Sequence, residues 1–181
     1  MIARHFGFVH LSAGELMRVE RDSGSALGQR IKGVDEKGEL LTGDIVLQVL
    51  DRVMEEHMTK GSHQFLLDGF PRSENNVTEL RKWKDGECPP LFALFLECPD
   101  EVMKTRLLGR GTAGSSRWDD MDVAVIEKRI ANYHSQTEPV IRFYGSAEGG
   151  NVFERINSDQ GDPFCLFLHK NGKTHKACRL C

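Results

Sequence analysis

An acid and two arginines stand where an ordered backbone can aim them. The run Phe65-Leu66-Leu67-Asp68 is apolar until its last residue and leads directly into Gly69-Phe70-Pro71-Arg72. Glycine permits a tight turn, proline stiffens it, and the planar guanidinium fork of Arg72 suits a phosphate oxygen pair. Upstream, Leu11-Ser12-Ala13-Gly14-Glu15-Leu16-Met17-Arg18 puts a second arginine on the second turn of a helix that follows another short apolar run. A lone arginine is most often a solvated charge, and an Asp at a strand end is commonly a cap. In combination these residues are far more specific, and they describe a site for a small anionic molecule.

Such side chains need a frame, and the sequence describes an α/β one. Short apolar strand-like runs alternate with helical patterns as far as about Ile156, the signature of a parallel sheet with helices on its faces. In such sheets, ligands bind beyond the carboxyl ends of the strands. Val9-His10-Leu11 precedes Ser12, and Glu15 lies where a capping box can open a helix that runs to about Arg21. Thr42 opens a longer helix striped by Ile45, Val46, Val49, Leu50, Val53 and Met54 and ended by Gly61. Phe65 to Asp68 and the wholly apolar Leu91 to Leu96 read as interior strands. Pro99, at a first helical position, starts a helix to about Arg110, and Gly111 to Ser116 reads as a flexible loop. Asp122 caps a helix with Val125, Ile126, Arg129, Ile130 and Tyr133; Pro139 marks a break or a new start; Asn151 to Ile156 is the last strand.

Bulk properties narrow the function. The chain of 181 residues is 39% hydrophobic and 28% charged, which suits one soluble globular domain. A net charge of -3 offers no basic face for nucleic acid, so a small-molecule partner is expected. No apolar run approaches the roughly 20 residues that span a bilayer, and the first residues do not form a signal peptide. A cytoplasmic monomer without membrane contact is therefore the expectation. Cys88 and Cys98 lie beside prolines and read as free thiols. Near the end, Cys165, His169, His175, Cys178 and Cys181 are residue types that ligate zinc, yet their spacing matches no strong finger pattern, and no metal site is expected.

The runs Phe65 to Arg72 and Leu11 to Arg18 together resemble the nucleoside monophosphate kinases, of the adenylate kinase and UMP-CMP kinase type. The resemblance continues in family order through Arg106-Leu107-Leu108-Gly109-Arg110-Gly111, Arg117-Trp118-Asp119-Asp120 and Glu127-Lys128-Arg129-Ile130. It covers most of Phe6 to Ile156. It implies a P-loop NTPase-like parallel sheet with flanking helices over residues 1–158, and transfer of phosphate from ATP, with Mg²⁺, to UMP or CMP. Residues 12–41, among them Ser12 and Gly14, would form the acceptor-binding region, with Arg18 on the monophosphate and Glu39, Leu40 and Leu41 beside base and sugar. Gly69, Phe70 and Pro71 would present Arg72 to the same phosphate. Residues 109–120 resemble a short lid, with Asp119 and Asp120 in it, Arg110 against ATP, and Arg117 and Arg129 on the phosphoryl group in flight. Asp68 would help order Mg²⁺ through its water shell.

Asn76 stands four residues beyond Arg72, where pyrimidine kinases of this family carry Asn and adenylate kinases usually Gln. Its amide sets a donor beside an acceptor and can pair with cytosine or uracil by rotating half a turn. Adenine offers the same order as cytosine, so AMP stays open as the acceptor, and an ordinary surface asparagine is the other reading.

The sequence departs from the family in several places. No run of the form Gly-x-Pro-Gly-x-Gly-Lys-Gly occurs, and Met1 falls inside what would be the helix after that loop. In the family's sheet order 2-3-1-4-5 the first, central strand would then be missing. The expectation is a chain that folds poorly alone or differently, with a truncated non-catalytic variant as the alternative to an enzyme. The lid is one residue longer than usual and carries Trp118, and residues 159–181 read as an atypical, disordered tail.

Overall fold

The computed structural model describes residues 2–37, 39–83, 90–112, 122–149 and 152–159. The chain divides into two compact units, one reaching to Leu91 and the other beginning at Phe92.

The first unit holds α1 (Ile2–Phe6), β1 (Val9–Ser12), α2 (Ala13–Asp22), α3 (Ala26–Asp35), α4 (Gly43–Met58), β2 (Phe65–Asp68) and α5 (Glu74–Lys82). β1 and β2 pair in parallel, with Val9 opposite Phe65, His10 opposite Leu66, Leu11 opposite Leu67 and Ser12 opposite Asp68. Because side chains alternate along a strand, Val9, Leu11, Phe65 and Leu67 share one face, and that face joins the hydrophobic core. His10, Ser12, Leu66 and Asp68 share the other. The stripe expected on α4 is the centre of the core: Ile45, Val46, Val49, Leu50 and Met54 are buried, packed with Met17 of α2 and Ile31 of α3. Ile31 and Leu50 are 0% exposed, and burying each such side chain stabilises the fold by about 1.5–3 kcal/mol.

The second unit holds β3 (Phe92–Glu97), α6 (Asp100–Thr112), α7 (Val123–Asn132), a π-helical turn (Tyr133–Thr137), α8 (Glu138–Tyr144), a 3-10 turn (Ala147–Gly149) and β4 (Val152–Asn157). β3 and β4 pair in parallel from Phe92 opposite Val152 to Glu97 opposite Asn157. Ile126, Ile130, Val140, Ile141, Tyr144 and Ile156 are buried. Asp122 caps α7 as expected, accepting from Ala124 N–H at 2.9 Å. Pro139 is accommodated in the first turn of α8, and the preceding π turn carries the helical path up to it. In that turn the His134 ring is held on both sides, with Nδ1 2.6 Å from Glu138 Oε1 and Nε2 2.9 Å from Asp100 Oδ2. These two carboxylate contacts, that with Asp100 first, raise the His134 pKa above its ordinary value.

Several expectations are corrected. Ser12 precedes α2 but its side chain makes no capping bond, because Ser12 is still the last residue of the β1 ladder. Gly111 and Thr112, expected to open a flexible loop, are the last residues of α6. Extending an existing helix adds a backbone bond per residue, which can outweigh a glycine cost of about 1 kcal/mol. The two apolar runs read as interior strands each pair with one strand among the described residues, and Leu96 stays 49% exposed. The parallel pairing is thus as expected, but it is divided between two sheets of two strands. No helix among the described residues is long and apolar enough to cross a membrane.

Candidate functional site

The first unit's sheet sets the site. Ser12 and Asp68 are partners in the ladder, so the helix that begins at Ala13 and the turn that begins at Gly69 leave the same end of the same sheet. Arg18 lies one turn beyond Gly14 on α2, while Ala13 and Met17 turn into the core. Arg72 lies at the end of the turn after β2, directly before Ser73, the N-cap of α5.

Asp68 is an exposed carboxylate, with its side chain 62% accessible, and its Oδ2 lies 3.3 Å from His10 Nε2. The register explains the contact, since His10 and Asp68 share the face of the sheet away from the core. A single accessible carboxylate fits a magnesium ion that keeps most of its waters and leans on nucleotide phosphates. Among the described residues no group of three His, Cys, Asp or Glu side chains is placed to hold a metal.

The turn is closely made. Gly69 has φ +75, and a Cβ there would lie 2.7 Å from Arg72 Nη2, so glycine serves both the conformation and the space. Arg72 Nε donates to the Gly69 carbonyl at 2.7 Å, which folds the guanidinium back over its own turn. Phe70 enters the core, the peptide between Phe70 and Pro71 is cis, and Ser73 Oγ accepts from Asn76 N–H at 3.3 Å.

Asn76 is not a surface asparagine. It is 3% exposed, its Oδ1 accepts from the Arg72 amide at 3.1 Å, and its Nδ2 donates to the Leu41 carbonyl at 3.1 Å. Leu40 and Leu41 are half-buried and Glu39 is exposed, so the amide of Asn76 ties the segment expected beside the base to the turn that carries Arg72.

A buried carboxylate holds the acceptor region together. Glu20 of α2 is 4% exposed; it accepts from Ser25 Oγ at 2.6 Å and from Arg52 of α4. The Ser25 bond, then the Arg52 bond, hold its carboxyl below the ordinary range against the opposing effect of burial. Ser25 also caps α3 by accepting from Gly28 N–H at 2.8 Å, so one buried carboxylate ties α2, α3 and α4 together. Glu20 four residues before Gly24-Ser25, with an arginine on the long helix, was the only sequence hint. His10 carried none beyond its place in a strand.

The second unit holds the other expected residues that the structure describes. Arg129 is half-buried on α7, and Arg110 lies on α6 close to its end. Arg117, Asp119 and Asp120 lie outside the described residues, as do the cysteines and histidines near the end of the chain.

The first unit is thus a parallel βα frame with Arg18 on the helix and Arg72 in the turn that leave one end of its sheet, the end where such sheets bind ligands. The family model for adenylate kinase matches residues 1–149. The chain is 38% identical to UMP-CMP kinase 3 of Arabidopsis thaliana over 157 residues, 87% of this chain and 72% of the relative. It is 39% identical to UMP-CMP kinase of Gallus gallus over 79% of this chain and 74% of the relative. Adenylate kinase isoenzyme 1 of Gallus gallus is 38% identical over 87% of this chain and 77% of the relative. The chain belongs to the adenylate kinase family, the ATP-dependent nucleoside monophosphate kinases, and is by that class a phosphotransferase.

Proposed function

We propose that this protein passes the γ-phosphate of ATP to a pyrimidine nucleoside monophosphate, UMP or CMP. The observation that carries this reading is the pairing of Ser12 with Asp68, which starts the Arg18 helix and the Arg72 turn at one end of one sheet. Two arginines from separate elements there give a monophosphate two sets of charged donors. Glu39, Leu40 and Leu41 take the base and sugar side. Relatives named UMP-CMP kinase favour pyrimidines, and the similarity to an adenylate kinase keeps AMP as the competing acceptor. The buried Asn76 amide, committed to Leu41 and Arg72, positions the site and does not itself pair with the base.

Phosphoryl transfer needs alignment and neutralisation of spreading negative charge more than it needs a covalent nucleophile. Arg110, Arg117 and Arg129 supply that charge, with Asp119 and Asp120 in the same lid segment of residues 109–120. Asp68 would hold, through its water shell, a magnesium ion brought with ATP, which would supply neutralising charge to the phosphates.

Calorimetric titration of the full chain with UMP, CMP and AMP tests the acceptor assignment. Tighter binding of UMP and CMP than of AMP is expected. Tighter AMP binding would reassign the substrate, and binding of none would remove the proposal.

A further inference from the structure

The start of α4 is joined to α5 by a contact that the roles assigned above do not use. The side chain of Thr42, the N-cap residue of α4, makes no capping bond. The first amide of the helix, that of Gly43, donates instead to Asn75 Oδ1 of α5 at 2.8 Å. This is a cap supplied from a neighbouring helix, and it satisfies a donor that the helix itself leaves open. The two backbones are pressed together at this point. A Cβ on Gly43 would lie 2.7 Å from Glu79 Cβ and 3.1 Å from Asn76 Cα, so only glycine admits the approach without a shift.

Next to it stands the second half of the contact, in which Asn76 links the Leu41 carbonyl to the Arg72 amide. The adjacent asparagines thus grip both sides of Thr42: Asn76 holds Leu41 before it, and Asn75 holds Gly43 after it. The segment gripped is the exit of the acceptor region, and the element gripping it begins at the Arg72 turn.

We propose that Asn75 is a positioning residue, half of a two-asparagine clasp that fixes Leu40 and Leu41 relative to the phosphate-holding arm of Arg72. The proposal rests on the reading that this end of the first unit binds a nucleoside monophosphate. Asn75 touches no ligand in this scheme. It acts by setting the spacing between the base-side segment and the phosphate-side turn, so that a ligand bridging them meets both without first ordering them.

The test compares UMP affinity of the full chain, Asn75→Ala and Asn75→Asp at a temperature well below the melting point of all three. Asn75→Ala should bind UMP about tenfold more weakly, the effect of one lost hydrogen bond on a preorganised site. Asn75→Asp keeps an oxygen acceptor for the Gly43 amide at a helix N-terminus and should bind as the unaltered chain does. A merely structural contact would lower the melting temperature of Asn75→Ala and leave its UMP affinity unchanged, and that result overturns the clasp. Failure of Asn75→Asp to restore affinity overturns it as well. Absence of UMP binding to the unaltered chain is a different result, because it removes the acceptor reading on which the clasp depends.

Discussion

Arg72 folds its guanidinium back to donate to the Gly69 carbonyl, across a turn whose φ of +75 at residue 69 favours glycine. The fork is planar and always charged, so lysine is a poor substitute for it. Arg72→Lys should weaken UMP binding about tenfold in a calorimetric titration, and Arg72→Ala should weaken it further. Unchanged affinity in both variants would show that the phosphate lies elsewhere. Arg72 was legible in the sequence because glycine, proline and arginine at a strand end have separate physical meanings that agree. The surroundings of Asn76 were not. Nothing in a helix-surface pattern reveals that its amide, while accepting from nearby Arg72, also meets Leu41, 35 residues back, because that bond depends on how α4 packs on α5.

At the level of elements, α2, α3 and α4 are held at one point by Glu20. Its lowered pKa gives the sign of the pH response: the stabilisation is present above the ordinary value of 4.5 and is lost as pH falls through the folded value. Glu20→Gln should cost on the order of 2 kcal/mol in denaturant unfolding at neutral pH. The difference from the unaltered chain should shrink in acid. A constant difference across pH would mean that the carboxylate charge has no part in the clamp. His134 behaves in the opposite sense, because its pKa is raised. The stability it adds is fully present below its ordinary value of 6.5 and fades as pH rises through the folded value. Asp100 and Glu138 face it directly, Arg142 lies 3.7 Å from the same Glu138, and the Tyr133 ring stands 5.0 Å away. His134→Gln should therefore flatten the change of melting temperature between about pH 6 and pH 8. An unaltered slope would place the titrating group elsewhere. Helix positions followed from apolar spacing and caps: Asp122 and the α4 stripe were both readable. The Ser12 box was not formed because the same residue was claimed by a strand, a competition that local spacing does not register.

For the whole molecule, the α/β character and the parallel pairing followed from alternating apolar runs and helices. The division of the described strands into two sheets was not legible in that alternation, which reports strands but not their neighbours. Leu91 to Leu96 is apolar throughout, as an interior strand would be, yet it has one strand partner among the described residues and Leu91 and Leu96 stay exposed. Pattern reports what a segment is suited to, and the neighbours decide what it receives. The proposed activity calls on Arg18 and Arg72 for the acceptor and on Arg129 for the phosphoryl group. A coupled assay of ADP release from ATP by the full chain, with UMP, CMP or AMP as acceptor, tests that account most directly. Release of ADP that depends on UMP or CMP, and that falls on the order of a hundredfold in Arg129→Ala, is the predicted result. No acceptor-dependent ADP with any of the three monophosphates would contradict it.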